Sequence, residues 1–460
     1  MNNFFQTKSR TSSEIAPKSN SGRIGFHYFP DTYHYRDIDL QTWLPELLSL
    51  GASWLVVKSE IERAIPETFI RNLVEKGIQP LVQFNFSLAK PPEIEEVRPL
   101  IESYKRWGCK YILFFDRPNS RSSWPASGWA QQDLVERFID RFLPFADLAI
   151  KNGLIPVFPA LEPGGSFWDT AFLRSALQSL DRRKQTELLE QMVLAVYTWS
   201  EDHSLDWGAG GPERWPEAKP YFTPPDVQDQ RGFRCFEWYQ AIARSVLHHP
   251  LPLLLLGAGA NSDPSQNKEI VSNPEKHAEM NQSIIDLLAE NQVIDPLNPD
   301  NTLEPLAEEI IGCNFWLLAC DPADTCHPQA WYQDENSTLP IVNILKDRKP
   351  MAKHVHADFP PSISKAGEET SHVIQHYLLL PTYEWGVADW HLDVIRSFVK
   401  KYQPTIGFSL EEANLAARVT VIGSTQTFPE ESLEQMRQAG CAVERISGDG
   451  TSIATQLNQR

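Results

Sequence analysis

Short apolar runs alternate with helical patterns over most of the chain. IGFHYF (24–29) is followed by Leu40, Leu44, Leu47 and Leu48 at helical spacing, with Asp39 as candidate N-cap and Gly51 as the stop. ASWLVVK (52–58) starts at once, a helix opened by Pro66 carries Ile70, Leu73 and Val74 and closes at Gly77, and PLVQFNF (80–86) follows. A helix ending at Trp107 and Gly108 leads into KYILFF (110–115), and one from Asp133 to Asn152 stops at Gly153 before LIPVFPAL (154–161). Helices that stop at glycine just before a buried, β-rich run mark βα units on a parallel sheet. Further runs at 192–199, 251–256 and 311–318 complete a set that predicts the α/β class and a (β/α)8 TIM barrel with insertions, the alternative being an open doubly wound sheet.

The pattern changes at both ends. Residues 1–21 are polar and Ser-rich and read as a disordered leader, so the barrel is expected over 22–346. Residues 347–370 are basic, then rich in Pro, Ser and Gly, and read as a linker. From 371 to 460, YLLLP (377–381), a helix from Asp389 to Lys401, TIGFS, RVTVIG (418–423), a helix from Pro429 to Ala439 and AVERIS predict a small α/β domain. The leader has no apolar stretch of secretory type, so a cytoplasmic location is expected, with export by a non-classical route or surface association as the alternative. The longest apolar run, Leu251 to Ala258, is far below the roughly 20 residues that span a bilayer, so no membrane insertion is expected.

Charge and cysteine usage narrow the partners. With 42 Lys and Arg against 60 Asp and Glu, the net charge of −18 repels phosphate backbones, and nucleic acid is excluded as a general partner. The 14 Trp suit either a large core or flat faces offered to a ligand. The six Cys form no CxxC pair, only Cys320 and Cys326 being close neighbours, and His248, His249, His354 and His356 have no acid or Cys nearby at ligand spacing. The glycine runs at 208–211 and 257–259 lack any phosphate-loop pattern and read as tight turns, and DPLNPDN (295–301) reads as a loop. Neither a metal nor a cofactor is expected.

In such a barrel the chemistry gathers where strands end, which singles out His27, Asn85, Asp116, Arg117, Asn119, Glu162, Tyr197, Trp199, Glu201, Asp202 and Trp316. Through YILFFDRPN, PALEPGGSFWD, PLLLLGAG and NFWLLA, residues 22–346 resemble the clan A type of glycoside hydrolase barrel. That family carries Asn-Glu-Pro at the end of strand four, Glu-Gly-Gly at the end of strand seven and a sugar-stacking Trp closing strand eight. Pro118, Asn119 and Trp316 match, but Arg117 stands at the acid/base position, Gly257 at the nucleophile position, and Asp116 where Asn precedes the acid.

The departure matters because retaining hydrolysis needs two carboxyl groups about 5 to 5.5 Å apart, one protonated and one ionised. Arginine cannot donate the proton, and glycine has no side chain. The resemblance therefore implies a barrel that has lost hydrolysis and keeps its groove, a glycan-binding or scaffold protein with His27, Asn85, Asn119, Tyr197, Trp199 and Trp316 as ligand candidates. One alternative is an active glycosidase using relocated carboxylates among Asp116, Glu162, Glu201 and Asp202. Another is a component of a protein assembly that binds no sugar. An open groove lined by Tyr197, Trp199 and Trp316 would suit the first two, and a groove filled by Arg117 ion pairs the third.

Residues 418–457 resemble one type 2 cell-wall-binding repeat, through Val443, Arg445, Ile446 and Gly448. That family works as three tandem modules on anionic wall polymers, and its usual Asp-Arg-Tyr is Asp449, Gly450 and Thr451 here. The expected partners are thus a glycan or cell-wall polymer, or an assembly protein.

Overall fold

The structure, a computed structural model, describes residues 22–201, 203–261, 273–334, 337–348, 374–381 and, apart from 397, 400, 403, 426, 439 and 449, residues 395–458. The chain divides into two compact units, Met1–His354 and Val355–Arg460.

The first unit contains strands β1 (Ile24–His27), β2 (Trp54–Lys58), β3 (Gln79–Phe84), β4 (Tyr111–Phe114), β5 (Ile155–Phe158), β6 (Val193–Trp199), β7 (Leu253–Gly259), β8 (Val293–Asp295), β9 (Asn298–Leu303) and β10 (Ile310–Phe315). Eight of these close a barrel in the order β1-β10-β7-β6-β5-β4-β3-β2, every pairing parallel. The (β/α)8 expectation holds and the open sheet falls away. Between β7 and β10 the antiparallel ribbon β8–β9 is inserted, and DPLNPDN forms its turn and the start of its second strand.

Alternation along each strand divides the core. Trp54 and Val56 point into the barrel with Leu81, Tyr111, Leu113, Val157, Leu254 and Leu256, whereas Leu55 and Val57 face the helices. Both faces are buried, which is why these strands read as continuous apolar runs. The fully buried Trp54 is accommodated by glycine on the neighbouring strands: a Cβ on Gly25 would lie 2.5 Å from Trp54 Cβ, and one on Gly312 would lie 2.9 Å from its indole.

Two local expectations change. The helix begins at Asp37, with Arg36 at the N-cap, and Asp39 closes a capping box from the third helical position by accepting from the Arg36 N–H at 2.9 Å. Gly257, Ala258 and Gly259 do not form a turn but complete β7, where irregular register with both neighbours lets the two glycines take φ of 56° and 77°.

The second unit holds a parallel sheet ordered β12-β11-β13-β14, with β11 (Ile374–Leu379), β12 (Thr405–Gly407), β13 (Ala416–Ile422) and β14 (Ala442–Ile446). One face packs Tyr377, Leu379, Val419 and Val421 on Leu433 and Met436, and the other packs Leu378 and Ile446 on Phe398, Ile453 and Leu457. Asp449 and most of the expected 389–401 helix lie outside the described residues, as do the leader and nearly all of 347–370. Among the described residues no helix is long and apolar enough to cross a membrane.

Candidate functional site

After β4 the chain turns sharply, with Phe115 and Arg117 at φ of 66° and 44°, a conformation that non-glycine residues hold only under tertiary constraint. The constraint here includes the Arg117 N–H, which donates to the Ala160 carbonyl at the end of the next strand at 3.0 Å. Asp116 and Arg117 thereby meet Tyr197 from β6. The Tyr197 hydroxyl donates to Asp116 at 2.8 Å, and the Arg117 guanidinium lies 4.6 Å above the Tyr197 ring. Arg117 Nε is 3.0 Å from Glu162 Oε2 and 3.8 Å from Asp116 Oδ2, so two carboxylates converge on one nitrogen.

The electrostatics are opposed. Burial pushes the Asp116 carboxyl above its ordinary range, and the nearby Arg117, the Tyr197 hydroxyl and Lys58 only partly reverse it. Arg117 alone would have made Asp116 a simple salt-bridged anion; desolvation outweighs it. Burial works to lower the Arg117 pKa, but Tyr197, Asp116 and Glu162 outweigh it, and the residue is a fixed cation.

From Tyr197 an aromatic line continues around the rim. Trp199 lies parallel to Tyr197 at 6.4 Å between ring centroids, Trp316 stands edge-on to Trp199 at 6.3 Å, and His27 lies 5.0 Å from Trp316. Trp316 is oriented by its indole N–H, which donates to Gln329 Oε1 at 2.7 Å. Gly257 lies beneath this line: a Cβ there would be 2.2 Å from Trp199 Cζ2. The space a side chain at 257 would need is filled by the Trp199 indole. Tyr197 is buried and covered by Arg117, whereas Trp199 and Trp316 are half-buried and open on one side. His27 is buried with Nε2 unpartnered within the protein, and burial, then Lys58 and Arg117, push its pKa down to about 3, so it is neutral.

The remaining candidates separate. Asn119 is fully buried; its amide donates to the Glu162 and Phe167 carbonyls at 2.9 Å each and accepts from the Glu162 N–H at 2.8 Å. It therefore fixes the loop that presents Glu162. Asn85 is exposed, accepts from Gln83 at 2.9 Å, and lines a cleft of about 670 Å³ shared with Asp31, Lys58 and Glu60. Glu201 is exposed and its field acts on Arg231, which lies over Trp168, while Asp202 lies outside the described residues.

Three groups were not anticipated. Lys58 is turned to the Pro30 carbonyl at 2.7 Å. Tyr221 and Phe222 are 61% and 62% exposed, and the Tyr221 hydroxyl accepts from the Trp168 backbone N–H at 2.9 Å, with the two rings 5.5 Å apart. The aromatic pair set between prolines in KPYFTPP was the available signal. Finally, Cys320, Asp324 and Cys326 cluster just beyond β10 with ligand-type atoms within 4.8 Å of one another.

In the second unit, Val443, Arg445 and Ile446 lie on β14. Arg445 is committed internally, donating to the Gly423 and Phe428 carbonyls at 3.2 and 2.7 Å and to Glu430 at 3.0 Å.

The parallel strand pairing defines the first unit as a (β/α)8 barrel protein. No family model and no curated protein sequence matches the chain. Among solved structures it is similar to a GH128 (subgroup II) endo-β-1,3-glucanase from Sorangium cellulosum, at 13% identity over 72% of this chain and 100% of the other, TM-score 0.40. It is also similar to the GH53 catalytic domain of Ignisphaera aggregans, at 11% identity over 71% of this chain and 96% of the other, TM-score 0.38. A third is a family 51 α-L-arabinofuranosidase from Bifidobacterium longum, at 9% identity over 66% of this chain and 68% of the other, TM-score 0.35. Those activities belong to those proteins.

Proposed function

We propose that the first unit is a glycoside hydrolase-like barrel that binds a saccharide on its Trp199–Trp316 rim and does not cleave it. What supports the absence of cleavage is the state of two positions: Arg117 is an ion-paired cation, and Trp199 occupies the space beside Gly257; the Arg117 pairing taken alone suits an assembly component equally, and the saccharide reading rests on the half-buried Trp199 and Trp316. Half-buried indoles and the exposed Tyr221 and Phe222 suit the apolar faces of a sugar. The net charge of −18 favours a neutral saccharide over an anionic polymer. The second unit enters as a small module of the cell-wall-binding type whose Arg445 is already engaged, so the saccharide contact is assigned to the barrel.

A glycan array followed by calorimetric titration of the best oligosaccharide tests this. Trp316→Ala and Trp199→Ala are each expected to weaken binding about tenfold, roughly 1.4 kcal/mol. Undiminished affinity in both variants would remove the rim as the binding surface.

One observation favours a second reading, an active glycosidase: Asp116 is lifted by burial, as a general acid requires, and shares Arg117 with Glu162. Its mark would be turnover abolished by Asp116→Asn or Glu162→Gln.

A further inference from the structure

We infer that Cys320 and Cys326 form a reversible dithiol, a redox modification site whose disulfide would close the loop beside Trp316. Their sulfurs are 2.9 Å apart. A disulfide of about 2.05 Å requires them to approach by roughly 0.9 Å, a shift within the reach of side-chain rotation. The backbone between them is already curled: Ala323 N–H donates to the Asp321 carboxylate at 2.9 Å, Asp324 N–H to the Asp321 carbonyl at 2.9 Å, and Cys326 N–H to the Asp324 carboxylate at 3.2 Å. Cys326 is half-buried and open to a small oxidant, whereas Cys320 is buried at 6% exposure against Leu317 and Ala330. This asymmetry suits an attacking thiol outside and a resolving thiol inside.

A structural zinc site is the less favoured occupant. Such sites close on four ligands, and among the described residues the cluster offers three, Cys320, Asp324 and Cys326. Burial raises both thiols, and Asp324, which accepts from the Cys326 thiol at 3.3 Å, raises Cys326 further, so the reduced pair is neutral and its exchange through the thiolate is slow near neutral pH.

Oxidation by a low-molecular-weight disulfide such as oxidised glutathione balances as follows. The Cys326 thiolate attacks one sulfur and releases one small thiol; the Cys320 thiolate then attacks the Cys326 sulfur of the mixed disulfide and releases the second. The protein gives up two protons and two electrons, which leave in the two small thiols. The state of the pair reaches the rim by a short path, because Gln329 N–H donates to the Cys326 carbonyl at 2.9 Å and Gln329 Oε1 holds Trp316. The inference stands apart from what the rim binds.

The test equilibrates the full chain in glutathione buffers of increasing oxidised fraction, quenches with acid, alkylates and maps peptides by mass. Expected is joint loss of alkylation at 320 and 326, a linked peptide lighter by two hydrogens, and a tryptophan emission change that Trp316→Phe abolishes. Cys320→Ser should stop at a glutathione adduct on Cys326. Accumulation of that adduct in the unmutated chain, both thiols still alkylated in fully oxidised glutathione, or one zinc per chain retained through gel filtration and blocking alkylation would overturn it.

Discussion

Gly257→Ala is expected to destabilise the barrel by about 3 kcal/mol, a large effect for one methyl group. Two physical terms add. At φ of 56° the residue is in the left-handed region, where an L side chain costs roughly 1–2 kcal/mol. The new Cβ would also meet Trp199 Cζ2 at 2.2 Å, and displacing a packed ring costs about 1–3 kcal/mol. Urea unfolding followed by tryptophan emission measures this, since all of the 14 Trp except Trp385 and Trp390 fall within residues 1–354. Pairing the change with Trp199→Ala should recover the packing part and leave the backbone part. An unchanged urea midpoint for Gly257→Ala would show that Trp199 does not fill the space beside Gly257. The same geometry bars a carboxylate at this position: Gly257→Glu would need both the backbone and the indole to move.

Acidification is expected to weaken the barrel well before ordinary carboxylates titrate. Burial holds His27 at about 3 and His277 at about 4 in the folded chain, against 6.5 when unfolded. A base kept neutral in this way supports folding above its unfolded pKa, and that support is lost as pH falls through 6.5, because only the unfolded chain takes the proton. At about pH 5 each histidine contributes a loss of roughly 2 kcal/mol. Asp169 acts in the opposite direction. Burial pushes it up to about 6 while it accepts from the Gly164 N–H, Gln230 and the Tyr239 hydroxyl, so below that pH the folded chain binds a proton first. Its offset at about pH 5 is roughly 1.4 kcal/mol, leaving a net loss of about 2.5 kcal/mol between about pH 7.5 and about pH 5. Urea midpoints at the two pH values measure it, and His277→Gln should shrink the loss while Asp169→Asn enlarges it. Equal midpoints at both pH values would mean that the two histidines are not held neutral.

The barrel was legible because parallel strands buried on both sides read as apolar runs, and because Gly51, Gly77, Gly108 and Gly153 stop the preceding helices at positive φ. The ribbon β8–β9 was not, since β8 is only three residues long and β9, NPDNTL, is mostly polar and contains a proline. Strand ends were enough to name Asp116, Arg117, Glu162 and the rim aromatics. Contacts across strands were beyond them: that Arg117 would cover Tyr197, that Asn119 would be consumed in fixing the Glu162 loop, and that Trp199 would lie over Gly257 depend on three-dimensional proximity between residues about 40 to 80 positions apart. That burial outweighs Arg117 at Asp116 was out of reach for a related reason, because the charge partners are visible in the sequence and the burial is not.

The most direct test of binding without cleavage is saturation-transfer NMR of the protein with a neutral oligosaccharide selected by array, with the same sample followed over time for new reducing-end anomeric protons. Expected is saturation on the sugar, lost in Trp316→Ala, with no anomeric signal growing above the protein-free control. Growth of reducing-end protons that Asp116→Asn or Glu162→Gln abolishes would contradict it and establish Asp116 and Glu162 as a working hydrolytic pair.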